Sequence, residues 1–172
     1  LFLVLHSYLL FPWILQLLAQ ERKYSRPEMP ESELPPITVL MSVYNEASIL
    51  EKKLDSLVQS DYPPEKITLL VGSDNSDDGT NQLLERYGQR CPSLQTVIFS
   101  RRQGKPTVIN TLMEQVSDEI VVLTDAKVIF HPGTLRGLVR HFKDPAIGIV
   151  GGNILNESIS RDGVSIQEKA FM

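Results

Sequence analysis

The sequence predicts an α/β protein with an open, mostly parallel sheet flanked by helices. Two observations carry this prediction: short apolar runs of strand length recur along the chain, and amphipathic helical patterns separate them. Strands that alternate with helices form right-handed βαβ units, which build parallel sheets whose strands are buried on both faces. The predicted strands cover residues 37–43, 67–71, 96–99, 120–123 and 147–150.

The predicted helices between these strands each have one apolar face. Apolar residues recur at i, i+4, i+7 and i+8 in the first helix, and at i, i+3, i+4 and i+7 in the second. The first stripe consists of Leu50, Leu54, Leu57 and Val58, and the second of Ile109, Leu112, Met113 and Val116. A third helix is predicted from Thr134 to Phe142, after a Pro-Gly turn. We expect both stripes to pack in the core and to carry no chemistry.

Composition and charge argue against several classes of protein. The 172 residues are 42% hydrophobic and 22% charged, as expected for a folded domain and not for a disordered chain. The formal net charge is −4, and no basic run is longer than Arg101 and Arg102, so we expect no nucleic-acid partner. A single cysteine, Cys91, cannot form a disulfide framework or a zinc site, which indicates a reducing compartment.

The start of the chain predicts a membrane anchor and a linker. Residues 1–19 hold no Asp, Glu, Lys or Arg, and a helix of this length extends roughly 28 Å, close to the ~30 Å hydrocarbon core of a bilayer. Arg22, Lys23 and Arg26 follow directly, and the positive-inside rule places them, with the rest of the chain, in the cytosol. A buried or interfacial helix is the alternative. Residues 20–36, with their prolines, form the predicted linker, so the folded domain begins at residue 37.

Polar residues follow the first two strands, at the edge where parallel sheets bind ligands. Tyr44-Asn45-Glu46 comes after the first strand, where Asn45 suits a helix cap and Tyr44 suits stacking on a nucleobase. The acidic turn 73–80 (SDNSDDGT) comes after the second strand, and turn and cap chemistry explains most of it. Asp74 stands directly at the strand end, where its carboxylate can accept hydrogen bonds from a base or a ribose.

The third and fourth strands lead to candidate sites for an anion and for a cation. Arg101, Arg102 and Lys105 flank a glycine at a helix start, which suits a diphosphate, although a solvated basic loop is the simpler interpretation. Asp125 follows the fourth strand and is placed to hold a divalent cation with oxygen ligands. The glycine-rich dinucleotide and P-loop motifs are absent from the sequence, so those two classes lose their main support.

In their order along the chain, these segments resemble glycosyltransferase family 2. The matching blocks are ITVLMSVYNE at 37–46, the turn 73–80, the segment 102–105 with Asn110, and Thr124-Asp125-Ala126. The resemblance implies a GT-A fold and direct, inverting transfer from a nucleotide-diphosphate sugar, usually UDP-linked, to a glycan or lipid acceptor. It makes residues 37–172 the nucleotide-sugar-binding part of an incomplete glycosyltransferase domain, and the hydrophobic start is similar to that of the membrane-bound members.

The resemblance also implies roles for individual residues. The residues that match the family's nucleotide-sugar-binding positions are Ser42, Tyr44, Glu46, Asp74, Arg102 and Lys105. The first three line the nucleoside, the fourth binds the uracil or ribose, and the last two lie beside the nucleotide. Asp125 matches the first acid of the D-x-D motif, which binds the Mg²⁺ or Mn²⁺ ion that bridges the diphosphate.

Lys127 stands where the second acid of D-x-D is expected. In an extended segment, residues i and i+2 project to one face, so the ammonium lies beside the carboxylate of Asp125. A unit charge ~6 Å away, at an effective dielectric near 20, opposes a cation by roughly 3 kcal/mol. We therefore expect metal binding weaker than that of a D-x-D pair; alternatively, the ammonium itself steadies the diphosphate.

Two other functions stay open at this point. One is a non-catalytic nucleotide-sugar-binding module, which Lys127 favours. The other is a receiver-like signalling domain, whose acids would follow the first and third strands, whereas here they follow the second and fourth. The chain starts without Met and stops at Met172 inside a helical pattern, so we expect a fragment that binds donor without turnover. The catalytic base is expected after Met172.

Overall fold

A computed structural model of the chain describes residues 5–19 and 28–154. Its four strands are β1 (Ile37–Val43), β2 (Ile67–Ser73), β3 (Leu94–Ile98) and β4 (Ile120–Thr124). Its α-helices are α1 (Phe11–Ala19), α2 (Ala47–Val58), α3 (Thr80–Arg90), α4 (Lys105–Met113) and α5 (Thr134–Val139). The strands form one sheet in the order β3-β2-β1-β4, and all three pairings are parallel. The predicted α/β class with a parallel sheet is confirmed.

The centre of the sheet is β1, which is paired on both sides. Ser42 lies opposite Gly72 of β2, and Met41 lies opposite Thr124 of β4. The strand is buried along nearly its whole length, which explains why its sequence is a continuous apolar run instead of an alternating one. The first predicted strand is found with its predicted bounds, and the next three are found with ends shifted by up to two residues.

The fifth predicted strand, 147–150, is wrong. These residues follow no strand or helix pattern, and Ile149 is 92% exposed. An apolar run of four residues satisfies the local pattern of a strand, but a strand exists only when its backbone groups pair with a neighbour. Within residues 28–154, β4 pairs with β1 alone.

Two apolar cores lie on opposite faces of the sheet. Alternate residues of β1 point to opposite faces, so Val39 and Met41 belong to the larger core and Leu40 to the smaller one. The larger core is shared with α2, α3 and α5, and the smaller core with α4. The result is a sheet covered by helices on both faces.

The predicted apolar stripes are mostly buried. Leu50, Leu54 and Leu57 of α2 are fully buried, as is Leu112 of α4. Val58 is 45% exposed, which corrects its predicted place in the stripe. Val58 is the last residue of α2 and is rotated about 100° around the helix axis from the buried Leu57. Met113, at the end of α4, is also exposed.

The third predicted helix ends earlier than expected. The α-helix covers Thr134–Val139, and a 3₁₀ turn at Arg140–Lys143 continues it through Phe142. The closer i to i+3 bonding of 3₁₀ structure is common at helix ends.

The membrane-spanning helix predicted over residues 1–19 is not found. In the part of the chain that the structure describes, no helix has the length and apolar character needed to cross a bilayer. A π-helical turn at His6–Leu10 and α1 hold 5 and 9 residues. The cytosolic orientation depended on that span, and its three basic residues at 22–26 lie outside the described residues, as do residues 1–4.

The predicted linker is described only in part. Residues 20–27 lie outside the described residues, and Glu31–Glu33 form a short 3₁₀ turn. Leu34 is 2% exposed and belongs to the larger core. The end of this segment therefore packs against the domain just before β1 begins at Ile37.

A glycine on β2 lets α4 lie close to the sheet. A Cβ atom at Gly72 would stand 2.5 Å from Val108 Cγ1 and 3.1 Å from Leu112 Cδ1, both on α4. Any side chain at this position would push the helix away from the strand. The close approach fixes the start of α4, where Lys105 lies, near the carboxyl end of β1.

Candidate functional site

One cleft at the carboxyl end of the sheet collects all of the predicted site residues. It has a volume of about 420 Å³, within the usual range for small-molecule sites. The predicted residues that line it are Ser42, Tyr44, Glu46, Asp74, Arg102, Lys105 and Asp125. Gly104, Ala126, Lys127 and Val128 complete the lining.

The parallel topology explains why residues so far apart in sequence meet. The ends of β1, β2 and β4 lie at one edge, so the loops that follow them face the same space. The chain moves outward from β1 through β2 to β3 and then returns to the other side of β1 for β4. Such a reversal in strand order opens a crevice between neighbouring loops, which is the general binding position in open α/β sheets.

The acidic turn 73–80 holds the starts of two helices. Asp78 accepts a hydrogen bond from the Ala47 backbone N–H at 3.0 Å, and its other oxygen accepts from the Thr80 N–H at 3.0 Å. Burial tends to raise the pKa of Asp78, but the hydrogen bonds from Thr80 and Ala47 outweigh it and lower the pKa. Asp78 thus caps the helix before the turn as well as the one after it.

Asn45 contacts this turn and does not cap the N-terminus of α2. Its φ of 53° is in the left-handed region, which asparagine tolerates. Its side-chain amide donates to Asp77 Oδ1 at 2.8 Å, and its side-chain oxygen accepts from the Asp77 N–H at 3.0 Å. The helix α2 begins without a side-chain cap from its own N-terminal residue. Asn45 therefore fixes the β1 loop to the β2 loop and leaves Tyr44 beside the cleft.

Asp74 holds the basic loop in place. Its carboxylate accepts hydrogen bonds from the backbone N–H groups of Gln103 and Gly104, at 2.7 and 2.8 Å. Asp74 is only 3% exposed, so these charge-assisted bonds are shielded from water. Gly104 has a φ of 86°, a conformation that favours glycine and that turns the chain into α4. The sequence indicated both segments, but it contained no sign that one holds the other.

Tyr44 and Arg102 stack on each other. The guanidinium carbon of Arg102 lies 3.8 Å from the centroid of the Tyr44 ring, which is a cation–π contact. Tyr44 remains 36% exposed. The pair presents a flat aromatic and cationic surface at one wall of the cleft.

Two ion pairs also line the cleft. Lys105 Nζ contacts Asp125 Oδ1, and Lys127 Nζ lies 3.7 Å from Glu46 Oε1. The lysine side chains are more than half exposed, so each pair contributes little to stability. The two pairs place two ammonium groups and two carboxylates in the lining of the cleft.

Lys53 is a site residue that the sequence reasoning missed. It lies on α2 with 0% of its surface exposed, and its Nζ donates to Thr124 Oγ1 at 2.9 Å and to the Val128 carbonyl. The ammonium also lies 3.7 Å from the centroid of the Phe130 ring. Burial lowers the pKa of Lys53 from 10.5 to about 7, and the negative charge of Asp125 partly opposes that shift. The helical spacing offered one signal, since position 53 lies three residues after Leu50 and four before Leu57, on the buried face of α2.

The cleft offers one carboxylate at the position expected for a metal ion, so a bound ligand and water must supply the other coordinating atoms. Among residues 5–19 and 28–154, no three His, Cys, Asp or Glu side chains are grouped to hold an ion. Asp125 is the carboxylate at the expected position, and Lys105 pairs with it. Mg²⁺ is commonly bound by one or two carboxylates together with substrate phosphates and water. The donor set therefore suits a metal ion that arrives with a diphosphate.

Comparison with known proteins identifies relatives of this chain. The family model described as glycosyl transferase family 2 matches residues 38–169. Glycosyltransferase AglE of Haloferax volcanii is 31% identical over 123 residues, which cover 72% of this chain and 40% of AglE. Poly-beta-1,6-N-acetyl-D-glucosamine synthase of Staphylococcus aureus is 29% identical over 138 residues, which cover 78% of this chain and 33% of the synthase.

Solved structures agree with this assignment. The mannosyltransferase PcManGT of Pyrobaculum calidifontis, in complex with GDP-Man and Mn²⁺, matches with a TM-score of 0.74 and 32% identity. That match covers 81% of this chain and 41% of the other. S. aureus TarS 1-349 in complex with UDP-GlcNAc matches with a TM-score of 0.55 and 25% identity, over 59% of this chain and 29% of TarS. The chain thus spans well under half the length of these relatives.

Proposed function

The chain belongs to glycosyl transferase family 2, and we propose that it forms the donor-binding part of an enzyme that transfers a sugar from a nucleoside-diphosphate sugar. The acceptor is a glycan or a lipid, and transfer inverts the anomeric carbon. The sequence resemblance favours a UDP-linked donor. The complexes of relatives with GDP-Man and with UDP-GlcNAc support a nucleotide sugar as the ligand class.

The observation that carries this proposal is the meeting of complementary groups in one cleft. The stacked pair Tyr44 and Arg102 offers a flat surface for a nucleobase. Lys105 and Lys127 also line the cleft and offer two ammonium groups for a diphosphate. Asp74 keeps the basic loop in register by accepting its backbone N–H groups, and its predicted contact with the uracil or ribose remains part of the proposal.

Ser42 and Glu46 complete the proposed donor site. Ser42 is near the end of β1, and Glu46 is the residue before α2, so both face the cleft from the central strand. Glu46 is paired with Lys127. A diphosphate that draws Lys127 away would leave the Glu46 carboxylate free to accept a hydrogen bond from a ribose hydroxyl.

Asp125 is the residue proposed to hold Mg²⁺ or Mn²⁺. When bound, such an ion neutralises the charge that develops on the leaving diphosphate. For Asp125 to act as a ligand, the Lys105 ammonium must leave its carboxylate. The phosphate oxygens are the natural new partner for that ammonium.

A non-catalytic nucleotide-sugar-binding module is the second candidate. The observation that favours it is the pair of lysines at the metal position: Lys105 on Asp125 and Lys127 on Glu46. The receiver-like alternative is not compatible with a family match over residues 38–169. Both candidates bind a donor, so an assay of transfer distinguishes them, and it needs a protein that also carries the catalytic base expected after Met172.

The proposal predicts that the chain binds UDP or GDP in isothermal titration calorimetry, and that Mn²⁺ strengthens the binding. Replacing Arg102 with Ala should weaken the affinity about fivefold, because the nucleobase loses one stacking partner. The matched control is Arg101→Ala, since the neighbouring arginine is exposed and does not line the cleft. Absence of binding to both nucleotides, with and without Mn²⁺, would refute the donor site.

A second prediction concerns the cation at position 127. Lys127→Asp should raise the Mn²⁺-dependent part of the nucleotide affinity about tenfold, because a positive charge two residues from Asp125, paired with Glu46 in the structure, is replaced by a second carboxylate ligand. Lys127→Ala removes the positive charge without adding a carboxylate. Its Mn²⁺-dependent gain in nucleotide affinity should lie between those of the native protein and Lys127→Asp. Equal Mn²⁺ dependence in the native protein and in Lys127→Asp would contradict the assignment of Asp125 as the metal ligand.

A further inference from the structure

A lysine beneath the cleft makes contacts that core packing does not require. Lysine is rarely buried completely unless its charge is paired. Among the described residues, Lys53 forms no ion pair within 4.0 Å, although its surface is 0% exposed. An apolar side chain of similar size would fill the same volume without the cost of desolvation. Filling space therefore does not account for a lysine at this position, whereas its hydrogen bonds do.

Those contacts lie on either side of the cleft's cation-binding segment. Lys53 Nζ donates to Thr124 Oγ1 at 2.9 Å and to the Val128 carbonyl. The residues between these two points are Asp125, Ala126 and Lys127. One ammonium thus ties both ends of a three-residue loop to helix α2.

The loop between the two contacts has its charged side chains in the cleft and its alanine in the core. Asp125 and Lys127 both line the cleft, whereas Ala126 is 3% exposed and packs in the larger core. The loop lies directly after β4, and among the described residues no strand pairs with the outer side of β4. Support from α2 therefore replaces support from a neighbouring strand at this edge.

We propose that Lys53 is a positioning residue for donor binding: it holds the segment Thr124–Val128 so that Asp125 and Lys127 meet the diphosphate of the donor. This inference rests on the proposed function, because it assigns the diphosphate to that wall of the cleft. The nucleobase wall, formed by Tyr44 and Arg102, has no contact with Lys53 among those described. Loss of Lys53 should therefore weaken the binding of the diphosphate and leave the binding of the nucleobase unchanged.

The experiment compares a nucleoside diphosphate with the matching monophosphate in the full chain. Lys53→Met keeps the length of the side chain and removes its donors, and Lys52→Met is the matched control, since Lys52 is the exposed neighbour on the same helix. Binding of UDP and UMP, or of GDP and GMP, is measured by titration at a temperature where circular dichroism shows each variant folded. We expect Lys53→Met to lower the diphosphate affinity about tenfold and to change the monophosphate affinity by less than about twofold.

Other outcomes decide against the inference or against its premise. An equal loss for both ligands, or no loss for either, would overturn the positioning role of Lys53 while the proposed function stands. Failure of the native protein to bind any of the four nucleotides would overturn the proposed function and this inference with it. If Lys53→Met does not fold, Thr124→Val removes one of the two anchors, and it should lower the diphosphate affinity about threefold with the same selectivity.

Discussion

Asp74→Ala is expected to destabilise the native state by about 3 kcal/mol and to lower nucleotide affinity about tenfold. Its carboxylate accepts two backbone N–H groups from the basic loop, at 2.7 and 2.8 Å, in a position that is 3% exposed. Hydrogen bonds to a charged group contribute about 1.5–3 kcal/mol each, and removal of the acceptor leaves both donors without a partner. The loop that carries Arg102 and Lys105 then loses its fixed position over the cleft.

Urea unfolding near neutral pH measures the first effect, and nucleotide titration measures the second. Asp77→Ala is the matched control, because Asp77 is an exposed acid of the same turn whose side chain contacts Asn45. We expect that control to cost less than about 1 kcal/mol. A difference between the two variants of under about 0.5 kcal/mol would show that Asp74 does not hold the loop.

The stability of the native protein is expected to rise with pH between about pH 7.5 and pH 9.5 because of Lys53. Its folded pKa is lowered to about 7 from 10.5, so in this range the unfolded chain binds a proton that the folded chain has lost. Stability rises with pH wherever the unfolded state binds more protons. With about 1.4 kcal/mol per pH unit for one proton, the expected gain over this range is roughly 2 kcal/mol.

The measurement is the free energy of unfolding of the native protein and of Lys53→Met at both ends of this range. The difference between the two should change by roughly 2 kcal/mol, while Lys52→Met should follow the native protein. Burial raises the pKa of Tyr62 to about 12, and burial together with Asp55 raises the pKa of Tyr87. Both tyrosines therefore titrate above the chosen range. Parallel curves for the native protein and Lys53→Met would rule out a lowered pKa for Lys53.

Much of the sheet follows from local patterns in the sequence. The boundaries of β1 coincide with the predicted run 37–43, because an apolar strand buried on both faces leaves a continuous signal. The same reasoning failed at 147–150, where the run is short and pairs with no strand among the described residues. For the predicted membrane span, no helix of the described residues has the length and apolar character to cross a bilayer. An apolar residue favours burial, but the local sequence does not show which other residues will pack against it.

The sequence predicted which residues line the candidate site, but it did not predict the hydrogen bonds that join them. Tyr44, Asp74 and Asp125 each follow an apolar run, and parallel pairing brings the ends of such runs to one edge. The contacts of Asp74 with the basic loop link residues 29 and 30 positions apart. Those of Lys53 link residues 71 and 75 positions apart.

The sequence by itself therefore determined the class of fold, the edge of the sheet at which the candidate site lies, and the family. These depend on periodicity, on turn chemistry and on ordered motifs, which are properties of neighbouring residues. Only the tertiary structure decided that Asp74 holds a loop, that Lys105 covers Asp125, and that Lys53 supports the loop beneath both. The physical reason is that a buried charge takes its partners from whatever the fold places beside it, and that placement is a property of the whole packed chain.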